Sequence, residues 1–309
     1  MRHLPRYAAL GTIGAIVLLA LVVLLAPRPS PDTAVQPTAA TTPTAAVTTA
    51  AAASPPAGPA SSDAAAMLRA HNDLRAAIGA PLVRSDERVT AAAQRHAEYL
   101  VRNAAGGHEE TPGQPGFTGA SVRDRLVAQG YDARTASEVA TSVGPGTDGV
   151  RSLWVLPYHR LGLMHPHSVV AGWGYFESAG RRATVGVMVY DFGAPAPDLL
   201  RSPAEGQRVA GTWDGQEFPD VLPVGAARPV GHPVMLMADQ ARTVELRIAR
   251  ISGPAGDVPY HVVPQLYERD YVAIVPARPL EPGARYRVRL ELTIAGVDIV
   301  AEWEFETEP

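Results

Sequence analysis

The stretch WVLPYHRLGLMHP, from Trp154 to Pro166, places ionisable side chains where a proline interrupts a helical pattern. Pro157 cannot continue the hydrogen bonding of a helix, so the side chain of His159 is predicted to leave the helix face and point into a cleft. A neutral imidazole can act as a general base, or ligate zinc through one nitrogen while the other is held by a neighbour. His159 is therefore the first candidate for chemistry, and Arg160 is predicted to form an ion pair or to bind backbone carbonyls.

Four other histidines are predicted to have structural roles. His165 and His167 flank a proline that fixes a loop, and because no acid is adjacent we expect a surface loop rather than a chelating pair. His71 and His96 lie on the apolar stripes of two predicted helices, which favours satisfied core histidines.

A loop rich in glycine and proline contains His108, Glu109 and Glu110. The two glutamates are predicted to face solvent, although either could supply an acid to a site. A hydrolase with two carboxylates could be drawn from Glu138 with Asp148 or Glu110, but nothing in the spacing requires it. No serine lies in a recognisable nucleophile turn, so serine catalysis is unsupported.

Composition narrows the class of protein. A chain of 309 residues allows about two domains. The absence of cysteine excludes disulfides, thiolate metal sites and a cysteine nucleophile. A formal net charge of -4 argues against nucleic-acid binding, which needs a basic face.

The N-terminal residues predict export. Arg2 and Arg6 precede an uncharged apolar run over residues 8–26, long enough to cross the cytoplasmic membrane with the rest of the chain outside. We favour an uncleaved anchor in residues 1–27 over a cleaved signal peptide, which is the alternative. Residues 28–62 are rich in Ala, Thr and Pro and are predicted to be a disordered linker.

The elements that follow must position the candidate residues. Apolar periodicity predicts helices near residues 62–79, 85–105, 121–130 and 147–156, and two antiparallel strands near 168–176 and 181–193. The segment SEVATSVGPGTDG, which contains Glu138, is predicted to be weakly structured. Helices first and an antiparallel pair late indicate an α+β fold.

The order of these motifs resembles the CAP superfamily of cysteine-rich secretory, antigen-five and pathogenesis-related proteins. The run HNDLRAAIGAPLVRSDERVTAAAQRHAEYL, GGHEETPGQ, RDRLVAQGY, SEVATS, VRSLWVLPYHRLGLMHP and VAGWGY carries the resemblance, over residues 63–193. It implies an α-β-α sandwich with a cleft lined by two histidines and acidic side chains.

The resemblance implies the site residues. The first family histidine corresponds to His108, the glutamate to Glu138 within SEV, and the second histidine to His159 within LPYHR. The second family acid has no clear match, and Asp148 is the nearest carboxylate. His108, His159 and Glu138 would then be the ligands of a divalent cation such as zinc.

Residues 203–309 predict a small β-sandwich that resembles bacterial immunoglobulin-like domains, after a linker over residues 193–203. Its last hairpin is the sharpest prediction. Folding about a two-residue turn at Ala295-Gly296 places three arginines opposite three glutamates on the outer face. The predicted pairs are Arg285 with Glu306, Arg287 with Glu304, and Arg289 with Glu302.

The sequence therefore predicts an exported cell-surface protein whose cleft of His108, Glu138 and His159 binds a small ligand, a cation or a cell-wall component. A metal-assisted hydrolase that uses the same cleft, with His159 as base or ligand and Glu138 as acid or base, is an alternative. A structural or adhesion spacer with no active site is another.

Overall fold

A computed structural model describes residues 62–239 and 242–309 of the protein. The predicted anchor or signal segment lies outside these residues, as does the predicted linker apart from Ser62. None of the helices in these described ranges combines the length and the apolar composition of a membrane span.

The helix-rich part, residues 62–193, is a three-layer arrangement built around one antiparallel sheet. The sheet has the order β1-β3-β2, with β1 at Ala136–Thr141, β2 at Ser168–Ser178 and β3 at Arg181–Tyr190. The helices are α1 (Ser62–Ala77), α2 (Glu87–Arg102), α3 (Val122–Ala128), α4 (Gly146–Val155) and α5 (Pro157–Met164). Helix α2 packs on one face of the sheet, and α1, α4 and α5 pack on the other. The α+β class is confirmed, but the prediction for the segment around Glu138 was wrong, because that residue lies in strand β1.

Alternation along β3 separates the two cores. Val185, Val187 and Val189 pack with α2, whereas Met188 packs with the helices of the opposite face. Since successive side chains of a strand point to opposite faces, both layers of helices are anchored by one strand.

Two glycines in β2 allow α2 to approach the sheet closely. A Cβ atom at Gly172 would collide with the backbone of Val89 and Thr90, and one at Gly174 with that of Ala93 and Gln94. The absence of a side chain, rather than a bend in the strand, is what these positions require.

Pro157 ends one helix and begins another. Helix α4 ends at Val155, and α5 starts with Pro157 in its first turn, where the missing N–H costs no hydrogen bond. The predicted break at Pro157 is present, but His159 lies near the N-terminus of a second helix, α5, which the sequence analysis did not predict.

The C-terminal module, residues 199–309, consists of two β-sheets. Their strands are β4 (Leu199–Ser202), β5 (Arg208–Val209), β6 (Val234–Ala238), β7 (Val244–Gly253), β8 (Gly256–Asp257), β9 (Tyr260–Val262), β10 (Tyr271–Pro276), β11 (Arg285–Ile294) and β12 (Val297–Thr307). The sheet orders are β4-β6-β10-β9 and β5-β12-β11-β7-β8. Residues of both sheets share one apolar core. The immunoglobulin-like assignment stays a prediction, and part of the predicted linker is strand β4 instead.

The final hairpin has the predicted register. Each of the three arginines in β11 lies opposite its predicted glutamate in β12, and each forms an ion pair with it. On the inner face, Val288 is opposite Trp303 and Tyr286 is opposite Phe305.

The four-stranded sheet connects the C-terminal module to the helix-rich part. Strands β6 and β10 are buried at every position. Met235 and Met237 join the core that contains α1, α4 and α5, whereas Leu236 faces the five-stranded sheet. The module therefore packs against the helices over a continuous apolar core, which places its loops next to α5.

Candidate functional site

A cavity of about 300 Å³ lies where the helix-rich part meets the C-terminal module. The helix-rich part contributes His108, Ser137, Glu138, Val139, Tyr158, His159, Leu161, Gly162, His165 and Tyr190, and the module contributes Phe218, Tyr267 and Glu268. The structure thus brings the three residues implied by the family resemblance, His108, Glu138 and His159, onto one cavity.

Asp148 does not line this cavity. It lies in the first turn of α4 with its side chain 55% exposed, 3.9 Å from Arg151. The prediction of Asp148 as the second cleft acid was wrong, because the exposed start of α4 places this residue outside the lining of the cavity. The additional carboxylates near the cavity come from the C-terminal module.

Glu138 is held by a buried polar network. Its Oε1 lies 3.1 Å from Nδ1 of His108 and 3.3 Å from Nε2 of His96, and its Oε2 accepts a hydrogen bond of 2.7 Å from Arg125. Arg125 is fully buried and also donates to the carbonyl of His108. The network fixes both the carboxylate and the loop that carries His108.

Glu110 belongs to the same network through His96. Its Oε1 lies 3.0 Å from Nδ1 of His96, and its Oε2 accepts the N–H of Thr118. Burial raises the pKa of Glu110, but the hydrogen bonds from His96 and Thr118 and the charge of Arg125 outweigh burial and lower the pKa below its usual value. Glu110 is 2% exposed, so the prediction of a solvated loop face was wrong for this residue. Glu109 is exposed as predicted.

His159 is fixed by a residue of the C-terminal module. Oε1 of Glu217 lies 2.7 Å from Nδ1 of His159 and also accepts the backbone N–H of His159 at 3.1 Å. That N–H belongs to the first turn of α5, where no earlier carbonyl of the helix can accept it. The Glu217 side chain is fully buried, and its Oε2 has no hydrogen-bond partner among the described residues.

These contacts define the hydrogen-bonding state of the two cleft imidazoles. A carboxylate only accepts, so Nδ1 carries a proton in both His108 and His159, and in the neutral form of each ring Nε2 is an acceptor. Neither Nε2 makes a hydrogen bond with a described residue. His165 has the opposite state, because its Nδ1 accepts the N–H of His167 and its Nε2 therefore carries the proton.

His165 and His167 are buried, so the prediction of a surface loop was wrong. Both lie under the C-terminal module, and Nε2 of His167 is 2.6 Å from Asp239. Burial, with the nearby His167 and Arg75, lowers the pKa of His165 to about 4. His71 and His96 are buried as predicted, although His96 belongs to the network beneath Glu138.

Arg160 binds backbone carbonyls, as predicted. Its buried guanidinium donates to the carbonyls of Trp154, Val155 and Pro233 and to the hydroxyl of Ser202. It joins the end of α4 to the C-terminal module and does not line the cavity.

Aromatic rings form the outer wall of the cavity. Tyr158 and Tyr267 make an edge-to-face contact with ring centres 5.2 Å apart, and Phe218 is 90% exposed. Burial, with the charge of Glu217 and the neighbouring Tyr267, raises the pKa of Tyr158 to about 12. The cavity lining therefore combines an apolar, aromatic rim with imidazoles and carboxylates.

The predicted zinc ligands do not fit a metal ion as they stand. Both oxygens of Glu138 already have partners: Oε1 contacts His108 and His96, and Oε2 accepts a hydrogen bond from the cation Arg125, which competes with a metal ion for this carboxylate. No group of three His, Asp or Glu side chains within residues 62–239 and 242–309 is arranged to hold a metal. Zinc binding stays a prediction.

Comparison with known proteins identifies the helix-rich part. Residues 68–190 match the sequence model of the CAP family, the cysteine-rich secretory protein family. This part of the chain is a CAP domain, in agreement with its layered fold and with the order of its motifs. No curated protein matches the sequence significantly.

Solved structures give more distant similarities. An extracellular protein with an SCP domain from Bacillus anthracis is 18% identical with a TM-score of 0.36, over 42% of this chain and 40% of that one. An outer surface protein from Borrelia burgdorferi is 16% identical with a TM-score of 0.35, over 41% and 90%. CopC from Methylosinus trichosporium is 19% identical with a TM-score of 0.25, over 35% and 89%. The chain thus spans less than half of the first of these proteins.

Glu217 and Glu268 were not found in the sequence analysis. Glu217 is 58 residues from His159 and lies in a turn-rich segment of another module, where no pattern links it to a cleft. The acidic character of the ERD triplet at residues 268–270, just before the buried strand β10, was the available signal for Glu268.

Proposed function

We propose that this protein is exported and that the cleft of its CAP domain binds a fragment of cell-wall or cell-surface material. The observation that carries the proposal is the cavity itself, in which His108, Glu138 and His159 share one space with an aromatic rim. Ligand sites typically combine apolar and aromatic walls with a few oriented polar groups. Export is supported by the arginines and the apolar run at the N-terminus, and by the secretory family to which the CAP domain belongs.

The rim supports a ligand with flat apolar faces and polar edges, such as a sugar of a cell-wall glycan. Phe218 and Tyr267 expose their rings at the mouth of the cavity, where a sugar face could stack. Within the cavity, Nε2 of His108 and of His159 would accept hydrogen bonds from the hydroxyl groups of the sugar.

Binding is favoured over metal-assisted hydrolysis by the state of Glu138. Its carboxylate is paired with Arg125 and two imidazoles, and a metal ion would have to displace or compete with these partners. The role of a spacer without a site is not favoured, because the C-terminal module contributes three residues to the cavity wall.

Co-sedimentation with purified, insoluble peptidoglycan tests the proposal. We expect the protein to sediment with it, and the double substitution Phe218→Ala with Tyr267→Ala to weaken binding about tenfold, the change that roughly 1.4 kcal/mol produces. Both side chains are largely exposed, so their removal should leave the fold intact.

Phe117→Ala is the matched control, because Phe117 is also partly exposed but does not line the cavity. It should sediment like the unchanged protein. Equal sedimentation of the rim variant and the unchanged protein, or no sedimentation of either, would exclude cell-wall binding through this cleft.

A further inference from the structure

The cavity wall, in the part of the chain that the structure describes, contains two carboxylates and no cationic side chain. Among the described residues that line it, none is arginine or lysine, whereas Glu138 and Glu268 are both present. Arg125 compensates Glu138, but Glu268 makes no hydrogen bond or ion pair with any described residue. Burial raises the pKa of Glu268, as expected for a carboxylate that lacks a counter-ion.

Two further carboxylates lie near the cavity without lining it. Asp270 is 2% exposed, and neither of its oxygens has a hydrogen-bond partner among the described residues. Glu217 is fully buried behind His159 and has one oxygen without a partner. Arg160 lies near Glu217 but gives its hydrogen bonds to carbonyls and a hydroxyl, so it is not a direct counter-ion. Buried carboxylates are ordinarily paired. Because Asp270 and Glu217 do not line the cavity, their charges act on a bound group through space and favour a positive one.

The imidazoles add acceptors to the same space. Glu217 holds the proton of His159 on Nδ1, so the lone pair of Nε2 is the hydrogen-bond acceptor that remains for a ligand. His108 is held in the same way by Glu138. Aromatic faces of Tyr158, Tyr267 and Phe218 complete a wall that attracts cations through their ring quadrupoles.

We infer that the cleft binds a ligand with a primary ammonium group. The ammonium group donates hydrogen bonds to Nε2 of His159 and to the carboxylate of Glu268, while the carbon chain of the ligand lies against the aromatic rings. The C-terminal module supplies the negative charge of this site through Glu217 and Glu268, and the CAP domain supplies the acceptor rings. The inference goes beyond the proposed function, since it names a chemical group that glycans of neutral sugars lack, and it depends on the same cavity.

A series of three small molecules with the same carbon chain tests the inference: n-butylammonium, 1-butanol and butyrate. Each is titrated into the isotope-labelled protein at pH 7 and low salt, and binding is followed by the NMR shifts of cavity residues. We expect saturable shifts with n-butylammonium, binding at least about tenfold weaker with 1-butanol, and none with butyrate. Tetramethylammonium should bind more weakly than n-butylammonium, because it has charge but no N–H donor.

Glu268→Gln is the decisive variant, since Glu268 has no partner in the fold to lose. It should weaken n-butylammonium binding about tenfold and leave 1-butanol binding unchanged. Glu245→Gln, on the exposed face of β7, is the matched control and should bind like the unchanged protein.

Equal binding of n-butylammonium and 1-butanol, preference for butyrate, or indifference to Glu268→Gln would overturn the inference. The two experiments distinguish failure of the proposed function from failure of the ammonium site. A protein that binds n-butylammonium but does not sediment with peptidoglycan retains the ammonium site and loses the cell-wall ligand, and the reverse result loses the ammonium site alone.

Discussion

Individual side chains near the cleft differ in how their charges are compensated. Glu138 contacts Arg125 and His96, and Glu110 contacts His96 and the backbone N–H of Thr118. Despite its burial, the hydrogen bonds of Glu110 and the charge of Arg125 lower its pKa. Asp270 has no such partners, and burial together with the nearby carboxylates Glu268 and Asp239 raises its pKa to about 6. Near the cleft, Glu138 and Glu110 thus belong to a hydrogen-bonded network, whereas burial of the charged form of Asp270 lowers the stability of the folded protein.

This cost predicts a pH-dependent gain in stability for Asp270→Asn. The folded-state pKa of Asp270 lies above its usual value of 3.8, so the folded protein binds the proton more tightly and stability rises as the pH falls from about 6 to about 4. Removing the charge should increase the free energy of unfolding by about 1–2 kcal/mol at pH 7.5 and by little at pH 4. Urea denaturation at both pH values measures the difference.

Comparison of the two proteins isolates Asp270, because groups with the opposite shift, such as His165, are present in both. Asp132→Asn, on the surface, should change stability by the same small amount at each pH. A gain for Asp270→Asn that is equal at pH 7.5 and pH 4 would show that the carboxylate is not strained in the fold.

The sequence predicted some of the cavity residues and missed others. The family resemblance led to His108, Glu138 and His159, and the structure places all three on one cavity. It could not lead to Glu217, since a contact between modules leaves no periodic trace along the chain. The burial of His165 and Glu110 was missed for a related reason, because the elements that cover these loops come from distant parts of the sequence.

Among the structural elements, α2 and β2 pack so closely that their contact leaves no space for a side chain at Gly172 of the strand. Gly172 lies directly beneath the helix backbone, and this contact holds the layer that carries His96 under the cleft. The substitution Gly172→Ala should lower the free energy of unfolding by about 1–3 kcal/mol, because helix and strand must separate to admit a methyl group. Thermal or urea unfolding measures the loss.

Gly106→Ala serves as the control for this substitution, because a Cβ at Gly106 meets no atom within 4 Å. Its effect should stay within about 0.5 kcal/mol. If Gly172→Ala were no more destabilising than Gly106→Ala, the close packing of α2 on β2 would be contradicted.

Elements with strong local patterns were predicted well, and those defined by tertiary contacts were not. The hairpin of β11 and β12 was predicted in its register, because the alternation and the three charge pairs specify a single pairing. Strand β1 was missed, since its short sequence ASEVAT becomes a strand only by pairing with β3. Helix α5 was missed because a proline that ends one helix is equally suited to start the next.

In the whole molecule, the two modules form one compact unit rather than a domain and a separate stalk. The central strands β6 and β10 of the four-stranded sheet are buried on both faces, and Met235 and Met237 lie in the same core as the helices of the CAP domain. This packing brings Glu217, Phe218, Tyr267 and Glu268 to the CAP cleft. The central claim is therefore that the C-terminal module completes the site.

The contact between His159 and Glu217 tests this claim most directly, through the protonated nitrogen of the imidazole. Long-range ¹H–¹⁵N NMR at pH 8 should show the proton of His159 on Nδ1 in the unchanged protein. It should move towards Nε2 in Glu217→Ala and stay on Nδ1 in the control Glu245→Ala. A His159 ring that carries its proton on Nε2 in the unchanged protein, or that does not respond to the loss of Glu217, would contradict a cleft completed by the C-terminal module.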